Sequence, residues 1–104
     1  MHVTMRRYEG IDNARRDELK RKVEETLTPK LSKLPGFGGY FLIDAGDGVM
    51  SSIGLFETAA QADESTRVAS SWVIEEKLEQ LLPNAPKISG GDVLVQKTNG
   101  AFRA

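Results

Sequence analysis

From His2 to Tyr8 the side chains alternate, with Val3 and Met5 on one side and His2, Thr4, Arg6 and Tyr8 on the other. That period of two reads as a first strand. Leu19, Val23, Leu27, Leu31 and Leu34 then recur every four or three residues. They form the apolar stripe of a helix that starts at a cap on Asp12 or Asn13 and runs to about Leu34. Pro29 lies inside this stripe. It has no N–H and crowds the carbonyl of Glu25, which predicts a kink or break near Thr28. Phe37–Ala45 and Val49–Phe56 read as two strands of a hairpin, turned by the Asp- and Gly-rich stretch Asp44 to Gly48. Thr58 and Gln61 have capping-box spacing. The helix they open reaches about Leu82, with Ala62, Ala69, Trp72, Val73, Leu78, Leu81 and Leu82 as its apolar positions. Pro83 and Pro86 end it. Gly90-Gly91 marks a bulge at the start of a fourth strand, Asp92 to Lys97.

The order β-α-β-β-α-β predicts a ferredoxin-like α+β fold: a four-stranded antiparallel sheet with two helices on one face. Residues 1–98 form one domain, and 99–104 a short fraying tail. The alternation sorts the sheet into two sets. Val3, Met5, Phe41, Ile43, Ile53, Leu55, Val93 and Val95 are wholly apolar and are expected under the helices. The other set is mixed: His2, Thr4, Arg6, Tyr8, Tyr40, Leu42, Asp44, Ser52, Gly54, Phe56, Leu94 and Gln96. It is too apolar to face water and too polar for a dry core. A partner that covers it and encloses a partly polar cavity satisfies both conditions, which predicts a homodimer.

Charge and composition narrow the function. The chain has 104 residues, with 14 Lys and Arg against 15 Asp and Glu, so it lacks the basic surplus of a nucleic-acid binder. It has no cysteine, which removes disulfides, thiolate nucleophiles and Cys metal sites together. No apolar run is long enough to span a membrane, and the N-terminus MHVTMRRYE lacks the apolar segment of a signal peptide. The expected location is the cytoplasm. Arg15, Arg16, Lys20, Arg21, Lys22, Glu24 and Glu25 read as the solvated face of the first helix.

Few side chains suggest chemistry. The single histidine, His2, is beside the N-terminus and assembles no catalytic triad. Asp44 and Asp47 do not complete a calcium loop, so no metal site is expected. Gly36 to Gly39 precedes a strand rather than a helix and so does not cradle phosphate. The βαββαβ order is shared with RNA-recognition modules, but the third strand, VMSSIGLF, lacks their stacking aromatics. The candidate cavity residues are Arg6, Tyr8, Tyr40, Asp44, Ser52, Phe56, Trp72 and Gln96, and none is singled out as catalytic. A buried Arg6 requires a carboxylate or a ligand anion, and Asp44 shares its face. Tyr8 and Tyr40 offer hydroxyls in apolar surroundings. Trp72 reads as a helix–sheet anchor or as a cavity wall.

Four stretches, VTMRRYEG, LPGFGGYFLID, GLFETAAQADES and GGDVLVQK, carry a resemblance to the antibiotic-biosynthesis-monooxygenase-like proteins of the dimeric α/β-barrel superfamily. The resemblance spans nearly the whole chain. It implies paired ferredoxin-like units whose sheets close into a barrel around a ligand cavity. Activities in that superfamily include oxygenation of aromatic polyketides without a bound cofactor, haem degradation, and isomerase or dehydratase chemistry. Haem-degrading members use a strand-one Asn and a helix-two His, and neither is present here. The reading is a cofactor-independent monooxygenase-like protein that binds a small hydrophobic, aromatic or polyketide-like molecule. The alternative is a non-catalytic small-molecule-binding or stress-associated dimer.

Overall fold

The computed structural model of the chain describes residues 1–98. The tail expected at 99–104 lies outside the described residues. Strands β1 (His2–Tyr8), β2 (Phe37–Gly46), β3 (Val49–Phe56) and β4 (Lys87–Asp92) form one antiparallel sheet in the order β2-β3-β1-β4. Helical chain links β1 to β2, and a second helix links β3 to β4. This is the ferredoxin-like α+β arrangement that the element order predicts. Among the described residues, no helix is long and apolar enough to cross a membrane.

The first helical segment is composite. Asp12 caps it, its side chain accepting from the Ala14 N–H at 2.9 Å. A 3₁₀ turn at Asn13–Arg15 leads into α1 (Arg16–Lys22), a π turn at Val23–Leu27, and α2 (Thr28–Ser32). The break expected near Thr28 takes the form of that π turn, in which the Thr28 N–H bonds to the Val23 carbonyl five residues back. Pro29 then sits in the first turn of α2, where a missing N–H costs nothing. The segment between β3 and β4 begins with the full Thr58/Gln61 capping box. Its helix, α3 (Ala59–Glu75), is shorter than expected. Lys77, at φ 56°, is left-handed, and Leu78, Leu81 and Leu82 reach the core from the turns that follow.

The helices cover the face opposite to the one that apolarity alone predicts. Thr4, Arg6, Met50, Ser52 and Phe56 are buried beneath them. Met5, Phe41 and Ile43, expected in the core, are 39%, 49% and 42% exposed. The physical reason lies in the bulky members of the mixed face. Phe37, Tyr40, Leu42, Met50 and Tyr8 join Leu19, Val23, Leu27, Leu31 and Trp72 in one cluster, which supplies a core without the other face. The more apolar face is left open, with Arg7, Ser51, Lys87 and Ser89 at its border. Across it, Phe41, Ile53 and Met5 stand in one row and Leu55 and Val3 in the next.

Two strand boundaries also differ. β4 ends at Asp92, where the expected strand begins, and Gly90-Gly91 lies inside it. Antiparallel pairing with β1 sets this limit: His2 pairs with Asp92, and the Val93 N–H makes a last bond to the Met1 carbonyl. Beyond Val93 no residue of β1 remains to pair. In the hairpin, β2 continues to Gly46 with a register shift between Asp44 and Gly46. The loop is therefore Asp47-Gly48, both at positive φ (54° and 76°), as a two-residue primed turn requires.

Gly48 also touches the loop after β1, its carbonyl accepting from the Ile11 N–H at 3.0 Å. A Cβ there would lie 2.8 Å from the Ile11 carbonyl oxygen. Gly48→Ala is expected to destabilise the protein by about 1–3 kcal/mol, from left-handed strain plus the clash. Urea unfolding checks it, with an unchanged midpoint counting against this account of the turn.

Candidate functional site

The buried face of the sheet brings Arg6 and Tyr8 of β1, Tyr40 of β2 and Ser52 of β3 together, and Trp72 of α3 closes over them. They border a small void of about 20 Å³, room for roughly one water. Arg6 is only 3% exposed. Its guanidinium reaches Thr66 Oγ1 at 3.5 Å, and it shares the void with the Tyr8 side chain. Among the described residues no carboxylate pairs with it. Asp44, which shares the face of Arg6, does not pair with it but turns outward to Arg16, Nε to Oδ2 2.9 Å.

Next to the void lies a larger cleft of about 430 Å³, between the first helical segment and the β2–β3 hairpin. Arg16, Lys20, Glu24 and Thr28 form its helical side, and Asp44 its opposite rim. Val23, Tyr40, Leu42 and Met50 border both spaces. The π turn supplies Val23 and Glu24 to this wall. It also presents Thr26, whose Oγ1 accepts from Trp72 Nε1 at 2.6 Å, and this fixes the indole. Single π turns often mark functional sites, because they re-aim side chains within a helix.

Both tyrosines are held in the neutral form. Burial raises the Tyr8 phenol above its ordinary value, against the opposing charge of Arg6 and its hydrogen bond. Burial likewise raises Tyr40, opposed by Arg6 and by a hydrogen bond with Ser52. The site therefore offers one fixed positive charge and two protonated hydroxyls, which are groups that stabilise a bound anionic oxygen.

Of the candidates from sequence, Arg6, Tyr8, Tyr40, Ser52 and Trp72 share the inner void, while Asp44 stands at the outer rim. Phe56 does not line either space. It is 1% exposed and packs edge-on against Phe37, ring centroids 5.8 Å apart. Gln96 is exposed, beyond the end of β4. The sequence reading missed Arg16, Lys20 and Glu24, which it assigned to solvent, and Thr28, which it took only as the place of a kink. Their spacing of four was a usable signal, since it places them in one row beside the Leu19–Val23–Leu27–Leu31 stripe. Among the described residues no three His, Asp or Glu side chains gather into a metal-binding group.

Tyr8 and Tyr40 are the only tyrosines in the chain. Phenolate absorbance at 295 nm should therefore rise at higher pH in the native protein than in denaturant, where the midpoint falls near the ordinary 10.0. Up to that pH both states are neutral and stability is undiminished. Above it the unfolded state loses its protons first, so stability falls as pH climbs through the native value. Coincident native and denatured titrations would contradict the burial of these hydroxyls.

No family model matches the chain, and no curated protein does. Solved structures do. A protein of unknown function from Nitrosomonas europaea superposes with a TM-score of 0.74 at 17% identity, over 95% of this chain and 94% of that one. A monooxygenase from Streptomyces coelicolor, in complex with nanaomycin D, gives 0.67 at 17% identity, over 91% and 92%. A dimeric ferredoxin-like protein from an uncultured marine organism gives 0.69 at 10% identity, over 95% and 92%. At these identities the similarity is one of fold, and the chain has the ferredoxin-like α+β fold of these dimeric and monooxygenase proteins.

Proposed function

We propose that this protein is a cofactor-independent monooxygenase-like enzyme that binds a small aromatic molecule through an ionised oxygen. The observation that carries this reading is Arg6, a buried guanidinium with no carboxylate partner among the described residues, between two neutral tyrosines at the base of a cleft. A buried charge is retained at a cost of several kcal/mol unless something compensates it. A phenolate oxygen does so. The cleft, at about 430 Å³, is of the size that takes a small organic molecule. The ring occupies it between the π turn and β2, while the oxygen passes Met50 and Leu42 to Arg6. Met50 is suited to yield, because its unbranched side chain has several rotatable bonds.

A phenolate is electron-rich enough to reduce dioxygen itself. One electron passes to O₂, the phenoxyl and superoxide radicals combine at a ring carbon, and the peroxide anion takes up the proton that the phenol released on ionising, to give a hydroperoxide. Loss of water then leaves a quinone, so phenol plus O₂ becomes quinone plus water. Arg6 favours the ionised substrate, the tyrosine hydroxyls orient it, and the closed walls keep water from the radicals. The monooxygenase fold relative with its bound nanaomycin D supports the reading by analogy of fold.

One observation favours a second reading of the same cleft. No carboxylate or imidazole lines the inner void, so the site has the groups for binding without an evident base for turnover. In either case we read the working unit as a homodimer, paired through the open face of Phe41, Ile43, Ile53, Met5 and Leu55. A contiguous apolar face of this kind is uncommon on a monomer.

Two measurements separate these readings. Oxygen uptake by metal- and flavin-free protein is expected with at least one phenol of a panel, lost in Arg6→Met. A phenol that binds tightly and is returned unchanged makes the protein a binder. Arg6→Met is also expected to weaken phenolate binding at least tenfold while changing unfolding free energy by no more than about 1 kcal/mol, because an uncompensated buried charge is removed. A large loss of stability with binding intact would make Arg6 structural.

A further inference from the structure

The inner void is flanked by two larger spaces. The cleft shares Val23, Tyr40, Leu42 and Met50 with it. A second pocket, of about 260 Å³, shares Tyr8 and Leu82 with it and has no lining residue in common with the cleft. This pocket lies between the end of α3 and the loop from Pro83 to Pro86. Ser70, Glu79 and Asn84 on it are exposed, whereas Leu82 is buried. The rest of its wall is apolar: Val73, Ala85 and the two prolines. The prolines restrict the loop backbone. Asn84 Nδ2 donates to the Glu9 carbonyl at 3.0 Å, which ties the loop to the chain leaving β1.

An aromatic ring seated in the cleft blocks that side of the void. A reaction with dioxygen then needs a second way in, suited to a small apolar molecule. A path past the Tyr8 ring and Leu82 has that character. Ions and water lose favourable hydration between such walls, whereas a diatomic gas has little to lose. Apolar cavities take up uncharged species of this kind, xenon among them, while staying dry. The void, at about 20 Å³, is roughly the scale of one small molecule.

We propose that dioxygen enters through the pocket between Val73 and Pro86 and is held in the inner void, where the Arg6 guanidinium stabilises the superoxide it becomes. The inference rests on the oxygenase reading and extends it: phenol and dioxygen use separate entrances and meet at Arg6. One electron leaves the phenolate and reduces O₂, giving phenoxyl and superoxide, with no proton moved in that step. The negative charge passes from the phenol oxygen to dioxygen, and one fixed guanidinium serves both.

Trp72 is the only tryptophan and borders the void, so its fluorescence reports dioxygen there without turnover. Dioxygen is expected to quench it, while iodide, a charged quencher, does not. Val73→Phe, which narrows the pocket, is expected to lower the dioxygen quenching constant at least threefold. Ala85→Phe, on the exposed loop, does the same and serves if the helix variant fails to fold. Glu24→Phe narrows the cleft instead and leaves the constant unchanged. With a phenol that supports oxygen uptake, Val73→Phe raises KM for dioxygen and leaves the phenol dissociation constant as it was. Quenching insensitive to both pocket variants, or lowered by Glu24→Phe instead, overturns the inlet and leaves the phenol reading standing. If no phenol of the panel supports oxygen uptake, the oxygenase reading and this proposal fall together.

Discussion

A guanidinium on the buried face of the sheet is the constraint on which the rest of the structure depends. Arg6 stands on β1, inside the core, with a threonine and a tyrosine hydroxyl as its neighbours rather than a carboxylate. Such a group is tolerated only where the packing around it leaves little choice of position and supplies polar contact. Here Ser52 and Thr4 keep the sheet surface small and polar near the charge, while Trp72, Met50 and Leu42 seal it from water. Trp72 is itself held by Thr26 in the π turn. The irregular helix and the position of the cleft are therefore parts of one arrangement. The π turn brings Val23 and Glu24 to the cleft wall and Thr26 to the indole.

The same arrangement accounts for the two sides of the sheet. The face that holds Arg6 needs large side chains to close around the charge, and Tyr40, Leu42 and Met50 provide them. The other face has Phe41, Ile53, Met5, Val3 and Leu55 at its centre and the charges of Arg7 and Lys87 at one end. It is the drier surface, yet it is the one left open. A chain whose core is already complete does not need that face in order to fold. Pairing two such faces buries apolar area in the way a sandwich core does, at a sheet separation of about 10 Å. In this account chemistry stays inside each subunit and association takes place on the reverse of the sheet.

The sequence made much of this legible, and the failures have identifiable causes. Element order followed from periodicity, and a turn within Asp44 to Gly48 and the Thr58–Gln61 box from residue types whose local geometry is restrictive. Alternation sorted side chains onto faces correctly through β1, β2 and β3. What it did not decide was which face meets the helices, because the rule that the more apolar face is the core holds only when the sheet has one buried side. The fourth strand was misplaced for a related reason. Val93, Leu94 and Val95 have the stronger strand composition, but pairing is set by β1, whose His2 to Arg7 stand opposite Asp92 to Lys87. Arg6, Tyr8, Tyr40, Ser52 and Trp72 emerged as candidates from face and residue type. The charged rim did not, because Arg16, Lys20 and Glu24 have the composition of a solvated helix, and only their position over β2 makes them cleft residues.

The central claim is that the charge of Arg6 is matched by an anionic oxygen of the ligand. The most direct measurement is an absorbance titration of a chromophoric phenol, 4-nitrophenol, at saturating protein. The account predicts that the bound phenol ionises at lower pH than the free one, and that this difference disappears in Arg6→Met. A bound phenol whose ionisation is unchanged, or shifted to higher pH, would contradict it.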